Sequence, residues 1–439
     1  MNIKVDSRKV KEGDTFVALK YEHDGHDYIE DAIKNGAKKI VCERGLYSVD
    51  TLIVKDTHEY LINYLKENYY DEIKDLKLIA ITGTNGKTTS CYLISQMLNN
   101  LGIKCGYIGT IGFYINEKIK DLNNTTPDIL DIYEMLLECK KNGCEYVALE
   151  ASSHALSKDR LKGLLFDYAV FTNLTEEHLD YHKTMENYAL SKQKLFSMLK
   201  SYGKAIVNID SEYKDYFIVK DKTITYGFNE CNYKISDIVI NKDHTVFCVN
   251  KENYETKLLG KYNIYNITIC VILMKLLSLK NIISTLEAPK GRMQKIKYND
   301  NMIVIDYAHT PDALENVLET VKQLKYDNIY TVIGCGGDRD KFKRKIMGEI
   351  STNLSDYVIF TSDNPRSEKI IDIINDMIEG IQKNNYEIIE NRESAIIRGI
   401  QLMGKSDILL ILGKGHEEYQ IIGNKKYDFS DQEIVQKNI

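Results

Sequence analysis

The stretch Leu78-Ile-Ala-Ile-Thr-Gly-Thr-Asn-Gly-Lys-Thr-Thr89 decides the fold. Leu78 to Ile81 form a short apolar run, read as a buried strand. It leads into a turn with Gly83 and Gly86, and Lys87-Thr88-Thr89 then open a helix expected over Ser90 to Leu101. That is the layout of a phosphate-cradling loop. Glycines let backbone N–H groups approach phosphate oxygens, and the helix N-terminus adds partial positive charge. Lys87 brings a full charge, and Thr88 offers a hydroxyl to Mg²⁺. The common Walker loop has four residues between its first glycine and Gly-Lys; here only Thr84 and Asn85 intervene. The alternative is a glycine turn that binds nothing. The order of strand, glycines, lysine and paired threonines weighs against it.

Outward from this loop, 439 residues exceed one ordinary domain, so two to four are expected. Composition is that of a water-soluble protein, with 43% hydrophobic and 28% charged residues. The net charge of -6, without a basic stripe, excludes nucleic acid as an expected partner. No apolar run reaches the length of a membrane span, and Met1-Asn-Ile-Lys-Val lacks a signal-peptide core, so a cytosolic location is expected. Nine cysteines without a C-x-x-C pair fit free, buried thiols rather than a disulfide framework or a zinc site.

Residues 1 to about 76 read as a small α/β unit. Strands are expected at Thr15–Leu19, Lys39–Cys42 and Thr51–Val54, and helices at Tyr28–Asn35 and His58–Tyr69. Asp6-Ser7-Arg8 and Asp24-Gly25-His26-Asp27 read as solvated turns. From about 77 to 298, strands and helices alternate, implying a mainly parallel sheet whose ligands lie beyond the strand carboxyl ends. Those ends are polar. Glu145–Leu149 runs into Glu150-Ala-Ser-Ser-His154, and Asp167–Phe171 runs into Thr172-Asn-Leu-Thr-Glu-Glu-His178. Glu150 and His178, expected at adjacent strand ends, suit a metal held near the phosphate loop; a helix N-terminal carboxylate is the alternative for Glu150. His178 and His182 have zinc-protease spacing, but Leu179 stands where that motif needs Glu. From about 299 to 439 the pattern repeats. Strands at Met302–Asp306, Ile329–Ile333, Tyr357–Thr361 and Ile408–Leu412 each end in a polar segment containing Gly or Pro. Gly334-Cys-Gly-Gly337 lacks the third glycine of a dinucleotide fingerprint.

These motifs, taken in order, resemble the Mur ligase family of ATP-dependent, amide-forming enzymes, and within it the members that add the third residue of the peptidoglycan stem peptide. The resemblance runs from Asp6-Ser-Arg8 through Gly83–Thr89, Thr125-Thr126, Glu150–His154, Asn173–His182, Gly260-Lys-Tyr-Asn-Ile-Tyr-Asn266, Gly291-Arg-Met293, Asp306-Tyr-Ala-His-Thr-Pro-Asp312, Gly334–Asp340 and Asp363-Asn-Pro-Arg366 to Gly413-Lys-Gly-His-Glu417. It implies an α/β, three-domain architecture. A UDP-sugar-binding domain would occupy residues 1–76, a central P-loop ATPase with a parallel sheet 77–298, and a Rossmann-like amino-acid-binding domain 299–439.

The reaction implied places the γ-phosphoryl of ATP on the D-glutamyl carboxylate of UDP-MurNAc-L-Ala-D-Glu, and an amine then displaces phosphate. By family position, Gly83, Thr84, Asn85, Gly86, Lys87, Thr88, Thr89, Asn263, Asn266, Arg292, Asp306, Tyr307 and His309 would hold ATP. Thr88, Glu150, His178 and a carbamylated Lys192 would hold Mg²⁺, with Lys87, Glu150, His178 and Lys192 as the catalytic set. Ser7, Thr125, Thr126, Ser152 and Arg160 would hold the UDP-muramoyl dipeptide.

Asp363-Asn364-Pro365-Arg366 resembles the form of this motif in enzymes that add meso-diaminopimelate. An Arg fork grips the distal carboxylate that lysine lacks. Arg339, Gly413 and Glu417 would complete that end, Glu417 taking the ammonium. Pairing of Arg366 with an acid such as Glu368 is the alternative. Three departures stand out: an early start at Asp6-Ser-Arg8, Ser-Glu-Lys-Ile after Arg366, and Lys343-Arg-Lys-Ile-Met347. The rival readings are the same ligation with L-lysine or another acceptor, a folylpolyglutamate-synthase-like ligase, and a non-catalytic nucleotide-binding module. Monomer is the default expectation.

Overall fold

The computed structural model describes residues 1–20 and 23–439. Ile3–Lys4 (β1), Thr15–Val17 (β2), Lys39–Cys42 (β3) and Asp50–Ile53 (β4) form a small parallel sheet in that order. The two turns expected to be solvated are partly buried 3-10 turns. Asp6 and Asp24 cap them by accepting from Arg8 N and His26 N, both at 3.0 Å. Ser7 and His26 are buried, and His26 is locked between Asp24 Oδ1 at 2.6 Å and Glu43 N at 2.9 Å.

The central sheet comprises Lys77–Thr82 (β5), Cys105–Gly109 (β6), Gly112–Ile115 (β7), Glu117–Lys120 (β8), Tyr146–Glu150 (β9), Phe166–Phe171 (β10), Leu199–Asn208 (β11), Thr223–Gly227 (β12), Tyr233–Ile240 (β13), Thr245–Val249 (β14) and Glu252–Thr256 (β15). Its order is β15-β14-β13-β12-β11-β10-β5-β9-β6-β7-β8. The strands from β13 to β6 run parallel, and antiparallel strands extend both ends. β5 lies between β9 and β10. Glu150 and the segment carrying His178 therefore flank the phosphate loop, rather than leaving adjacent strands as expected. Burial on both faces explains the unbroken apolar run of β5.

Gln294–Tyr298 (β16), Asn301–Asp306 (β17), Ile329–Ile333 (β18), Tyr357–Phe360 (β19), Tyr386–Ile388 (β20) and Ile408–Leu412 (β21) make the third sheet, ordered β16-β17-β21-β18-β19-β20. It is parallel except for the edge strand β16. The ladder of that strand with β17 makes Gln294–Tyr298 part of the third sheet. A ribbon of Tyr419–Ile422 (β22) and Lys425–Asp428 (β23) lies beyond the end of β21.

The first sheet and the central sheet share one apolar core. Ile3, Val17, Leu61 and Leu65 pack in the same cluster as Leu78, Ile132, Leu136 and Leu156. The third sheet has two apolar clusters, one of which takes in Leu259 and packs against Ile240 and Tyr262 of the central region. Among the described residues no helix is long and apolar enough to cross a membrane.

Candidate functional site

The glycines of the loop after β5 are required by both backbone and space. Gly83 has φ 151°, and a Cβ there would lie 1.9 Å from Thr172 Oγ1. Gly86 has φ 86° and caps helix Lys87–Asn100, which starts three residues earlier than expected. A Cβ on Gly86 would stand 2.4 Å from Asn266 Oδ1. The segment after β10 clips the loop in place. Thr84 N donates to Asn173 O and Asn85 N to Asn173 Oδ1, both at 2.9 Å, and Thr172 Oγ1 donates to Asn85 O at 2.6 Å. Lys87 Nζ folds over this cradle and donates to the carbonyls of Gly83 at 2.8 Å and Thr84 at 2.7 Å. Thr88 and Thr89 are buried in the first helical turn.

Glu150, at the end of β9, is fully buried. Its Oε2 accepts from Thr88 Oγ1 at 2.9 Å, and its Oε1 accepts from Tyr107 Oη at 2.6 Å and Thr110 N at 2.8 Å. His178 has a left-handed backbone, φ 57°, and turns its ring edge-on to His154 at 4.8 Å. Burial, and then the charges of His154, Lys87 and Lys192, push His178 down to about 4 against the pull of Glu177. The imidazole is therefore neutral at ordinary pH, the form that ligates a metal. Carboxylate, hydroxyl and neutral imidazole gathered at the loop suit a hard divalent cation such as Mg²⁺.

Lys192 lies in helix Met185–Ser197 with its ammonium buried. Its Nζ donates to Gly83 O at 2.7 Å, beside the Tyr188 ring. Burial, reinforced by Lys87, holds its pKa well below the usual lysine value. No motif in the sequence singles out Glu177. This acid lies 3.4 Å from His309 Nε2 and 3.7 Å from His178 Nε2. Burial pushes its pKa up, but the His309 hydrogen bond and the charges of His178, His309 and Lys87 outweigh that and hold it low.

From the other side come Asn263, Asn266, Arg292, Asp306, Tyr307 and His309. Asn266 Nδ2 donates to Asn263 Oδ1 at 3.1 Å, and Ser90 Oγ donates to Asn266 Oδ1 at 3.2 Å, tying both amides to the loop helix. Arg292 lies over the Tyr307 ring at 4.6 Å, with Nη2 3.5 Å from Thr88 Oγ1. Asp306 accepts from Met293 N at 2.6 Å and Ala308 N at 2.8 Å. Asp312, also absent from the expected set, accepts from Asn85 Nδ2 at 2.7 Å.

A cleft of about 860 Å³ opens between the first sheet and the central region, lined by Ser7, Arg8, His23, Lys120, Asn124 and Arg160 among others. Arg160 pairs with Asp128 at 2.9 Å and donates to Thr126 O at 3.1 Å. Thr126 Oγ1 in turn donates to Glu150 O at 2.7 Å and accepts from Ser152 N at 3.0 Å, while Thr125 Oγ1 lies 3.1 Å from Thr110 Oγ1. A chain of hydrogen bonds thus links Arg160 in the cleft wall through Thr126 to the backbone of Glu150.

A second pole sits at the ends of β18, β19 and β21. Arg366, with φ 51°, donates from Nη1 to Gly337 O at 2.7 Å and makes no ion pair with a described residue. Glu368 belongs to Arg344, which grips both its oxygens at 2.8 and 2.9 Å and also reaches Asp376 at 2.8 Å. The alternative pairing of Arg366 with Glu368 is therefore not found. Asn364 Nδ2 donates to Glu417 Oε2 at 2.8 Å. Gly413, φ 108°, lies against Asp363, whose Oδ2 would meet an added Cβ at 2.7 Å. Pro365 is buried behind the motif, and Arg339 stands exposed at the rim.

Three family models cover most of the chain. Residues 1–73 match the Mur ligase family catalytic domain, 81–274 the Mur ligase middle domain, and 291–415 the Mur ligase glutamate ligase domain. The chain belongs to the Mur ligase family. A relative from Clostridium botulinum, named UDP-N-acetylmuramoyl-L-alanyl-D-glutamate--2,6-diaminopimelate ligase, is 41% identical over all of this chain and 94% of its own. A relative of the same name from Fusobacterium nucleatum is also 41% identical, over all of this chain and 93% of its own. A solved structure of a ligase with that name superimposes with TM-score 0.70 at 34% identity, over all of this chain and 94% of that one. MurF from Thermotoga maritima, solved with ADP, shares the fold at TM-score 0.66 and 20% identity, with 93% of each chain covered.

This Mur ligase is accordingly an ATP-dependent, amide-forming enzyme that works with Mg²⁺. The geometry brings the loop, Glu150, His178, Lys192 and the Asn263–His309 set around one space, with Arg339 apart from it at the exposed rim of the second pole. Thr172, Asn173, Glu177, Asp312 and Lys414 carry much of the local hydrogen bonding. Asn173, Glu177, Asp312 and Lys414 fall within stretches that carry the family resemblance, but no role follows from their residue types alone.

Proposed function

We propose that this Mur ligase adds meso-2,6-diaminopimelate to UDP-MurNAc-L-Ala-D-Glu, in the cytoplasm and as a monomer, in peptidoglycan precursor synthesis. Three regions divide the work: 1–76 takes the UDP-sugar, the middle up to about 293 takes ATP, and the remainder takes the amino acid. The D-glutamyl carboxylate attacks the γ-phosphorus of ATP, ADP leaves, and an acyl phosphate results. The amine of the acceptor adds to its carbonyl carbon, loses a proton, and expels phosphate as the amide forms.

Lys87 leaves its two carbonyls to meet the transferring phosphoryl group. Asn263, Asn266, Arg292, Asp306, Tyr307 and His309 orient the nucleotide. Thr88, Glu150 and His178 hold Mg²⁺, which spreads charge on the phosphates. Lys192 serves as a carbamate: its burial favours the neutral amine that bonds to CO₂ with loss of a proton. The N–H that remains suits the Gly83 carbonyl, and the new carboxylate suits a second cation. Ser7, Thr125, Thr126, Ser152 and Arg160 hold the UDP-muramoyl dipeptide along the cleft.

The observation that carries the acceptor assignment is Arg366, a cation at the strand ends with no acid of its own. Diaminopimelate supplies the missing carboxylate; L-lysine does not. Phosphate release with ATP, Mg²⁺ and UDP-MurNAc-L-Ala-D-Glu is expected with meso-diaminopimelate and not with L-lysine. Arg366→Ala is expected to raise the KM for diaminopimelate by about 100-fold, the scale of a lost charge-assisted bidentate contact. Turnover with L-lysine alone would reject the acceptor assignment.

A further inference from the structure

The side chain of Lys414 is completely buried, between two groups of the acceptor end. Its Nζ reaches Glu417 Oε2 at 3.0 Å and Asn364 Oδ1 at 3.2 Å, with the Tyr419 ring at 5.5 Å. An ammonium is kept in such a place only where its partners are held in return. Asn364 Oδ1 also accepts from Ile421 N at 2.9 Å. With two donors on that oxygen, the amide has one workable orientation, and Nδ2 is aimed at Glu417. Lys414 Nζ and Asn364 Nδ2 both donate to Oε2 of Glu417, and the Tyr419 hydroxyl lies near the same carboxylate. Among the described residues Oε1 is the less committed oxygen, the one left to face a ligand.

We propose that Lys414 is a positioning residue for the acceptor amino acid. It turns Asn364 and Glu417 so that one carboxylate oxygen faces the ligand's ammonium. It also sets a buried positive charge behind Arg366, favouring a ligand whose far end carries a carboxylate as well as an ammonium. Lys414 and Glu417 form a close ion pair at 3.0 Å. Without Lys414 the Glu417 carboxylate loses that compensation and repels the ligand's carboxylate. This inference rests on the reading of this pole as the acceptor end.

The test uses the full-length enzyme and steady-state kinetics for each of the three substrates, with Lys414→Met and Lys414→Gln. Lys414→Met keeps the stem without charge, and Lys414→Gln keeps a donor for Glu417 without charge. For Lys414→Met, the KM for meso-diaminopimelate is expected to rise about tenfold or more, with kcat within about threefold and the KM for ATP unchanged. Lys414→Gln should fall between it and the wild type. The preference for diaminopimelate over L-lysine should narrow in both. An unchanged diaminopimelate KM, or a parallel rise in all three KM values with a lowered melting temperature in both variants, would overturn the proposal. The wild type tested on both acceptors separates the two claims. If it turns over L-lysine alone, the acceptor assignment fails, and positioning then stands only if Lys414→Met raises the KM for L-lysine and not for ATP.

Discussion

Lys87 and Lys192 both donate to one carbonyl, that of Gly83, at 2.8 and 2.7 Å. Two ammonium groups on one oxygen repel, and the buried one yields its proton more readily. The proposed conversion of Lys192 to a carbamate would replace that repulsion with attraction, so the crowding itself would favour the modification. His416 shows the same physics with a measurable outcome. Its Nδ1 is buried without a hydrogen-bond partner among the described residues, and burial, with Arg292, Lys118, Lys290 and Lys414 nearby, pushes its pKa from 6.5 down to about 3. Between those values the unfolded chain takes up a proton that the folded chain refuses. The stability is intact above about pH 6.5 and falls as the pH drops through that window. Against a His416→Gln variant, the wild type is expected to lose up to about 2 kcal/mol more between pH 7 and pH 5 in urea unfolding. Parallel curves would reject this.

The phosphate loop and its helix are the most legible element, because strand, turn and cap each need residue types that stand next to one another in the chain. Gly86 makes the requirement quantitative. Gly86→Ala places a methyl 2.4 Å from Asn266 Oδ1 in a backbone conformation L side chains rarely adopt. It is expected to cost about 1–2 kcal/mol of stability and on the order of 100-fold in kcat/KM for ATP, read by thermal unfolding and phosphate release. Near-wild-type turnover would show that Asn266 moves aside freely. Elements whose partners are distant in sequence are not legible. Nothing local places β5 between β9 and β10, or pairs Gln294–Tyr298 with the strand after it. Lys414 stands between two glycines in the chain, and its role is hidden because its partner Asn364 lies on another strand end. Arg344 sits in a run of basic residues, and nothing beside it shows that it anchors Glu368.

Across the whole molecule, two kinds of seam join the parts. The first and central sheets share apolar side chains, whereas the third region meets the phosphate loop through polar contacts: Asp312 to Asn85 at 2.7 Å and His309 to Glu177 at 3.4 Å. Polar contacts open at lower cost than apolar ones, and the apolar contact of the third region with the central one is limited to the cluster around Leu259, so movement during turnover is expected in the third region. Asp312→Ala is expected to lower kcat about tenfold, leave the KM for ATP within about threefold, and enlarge the radius of gyration in solution scattering. Equal kcat and equal scattering would dismiss the contact as incidental. The expectation of three working regions rests on polar strand ends, each of which points to a ligand. The character of the seams is not legible, since it depends on which faces meet.

The apolar seam also bears on heredity. Leu61 and Leu65, on the helix of the leading region, are buried in the cluster that supports β5. Trimming either to alanine would remove about 2–5 kcal/mol from a core that serves two ligand sites. Such alleles would leave every reacting side chain in place and still fail together at raised temperature. Conditional growth defects in this gene are thus expected to map to a joint that touches neither nucleotide.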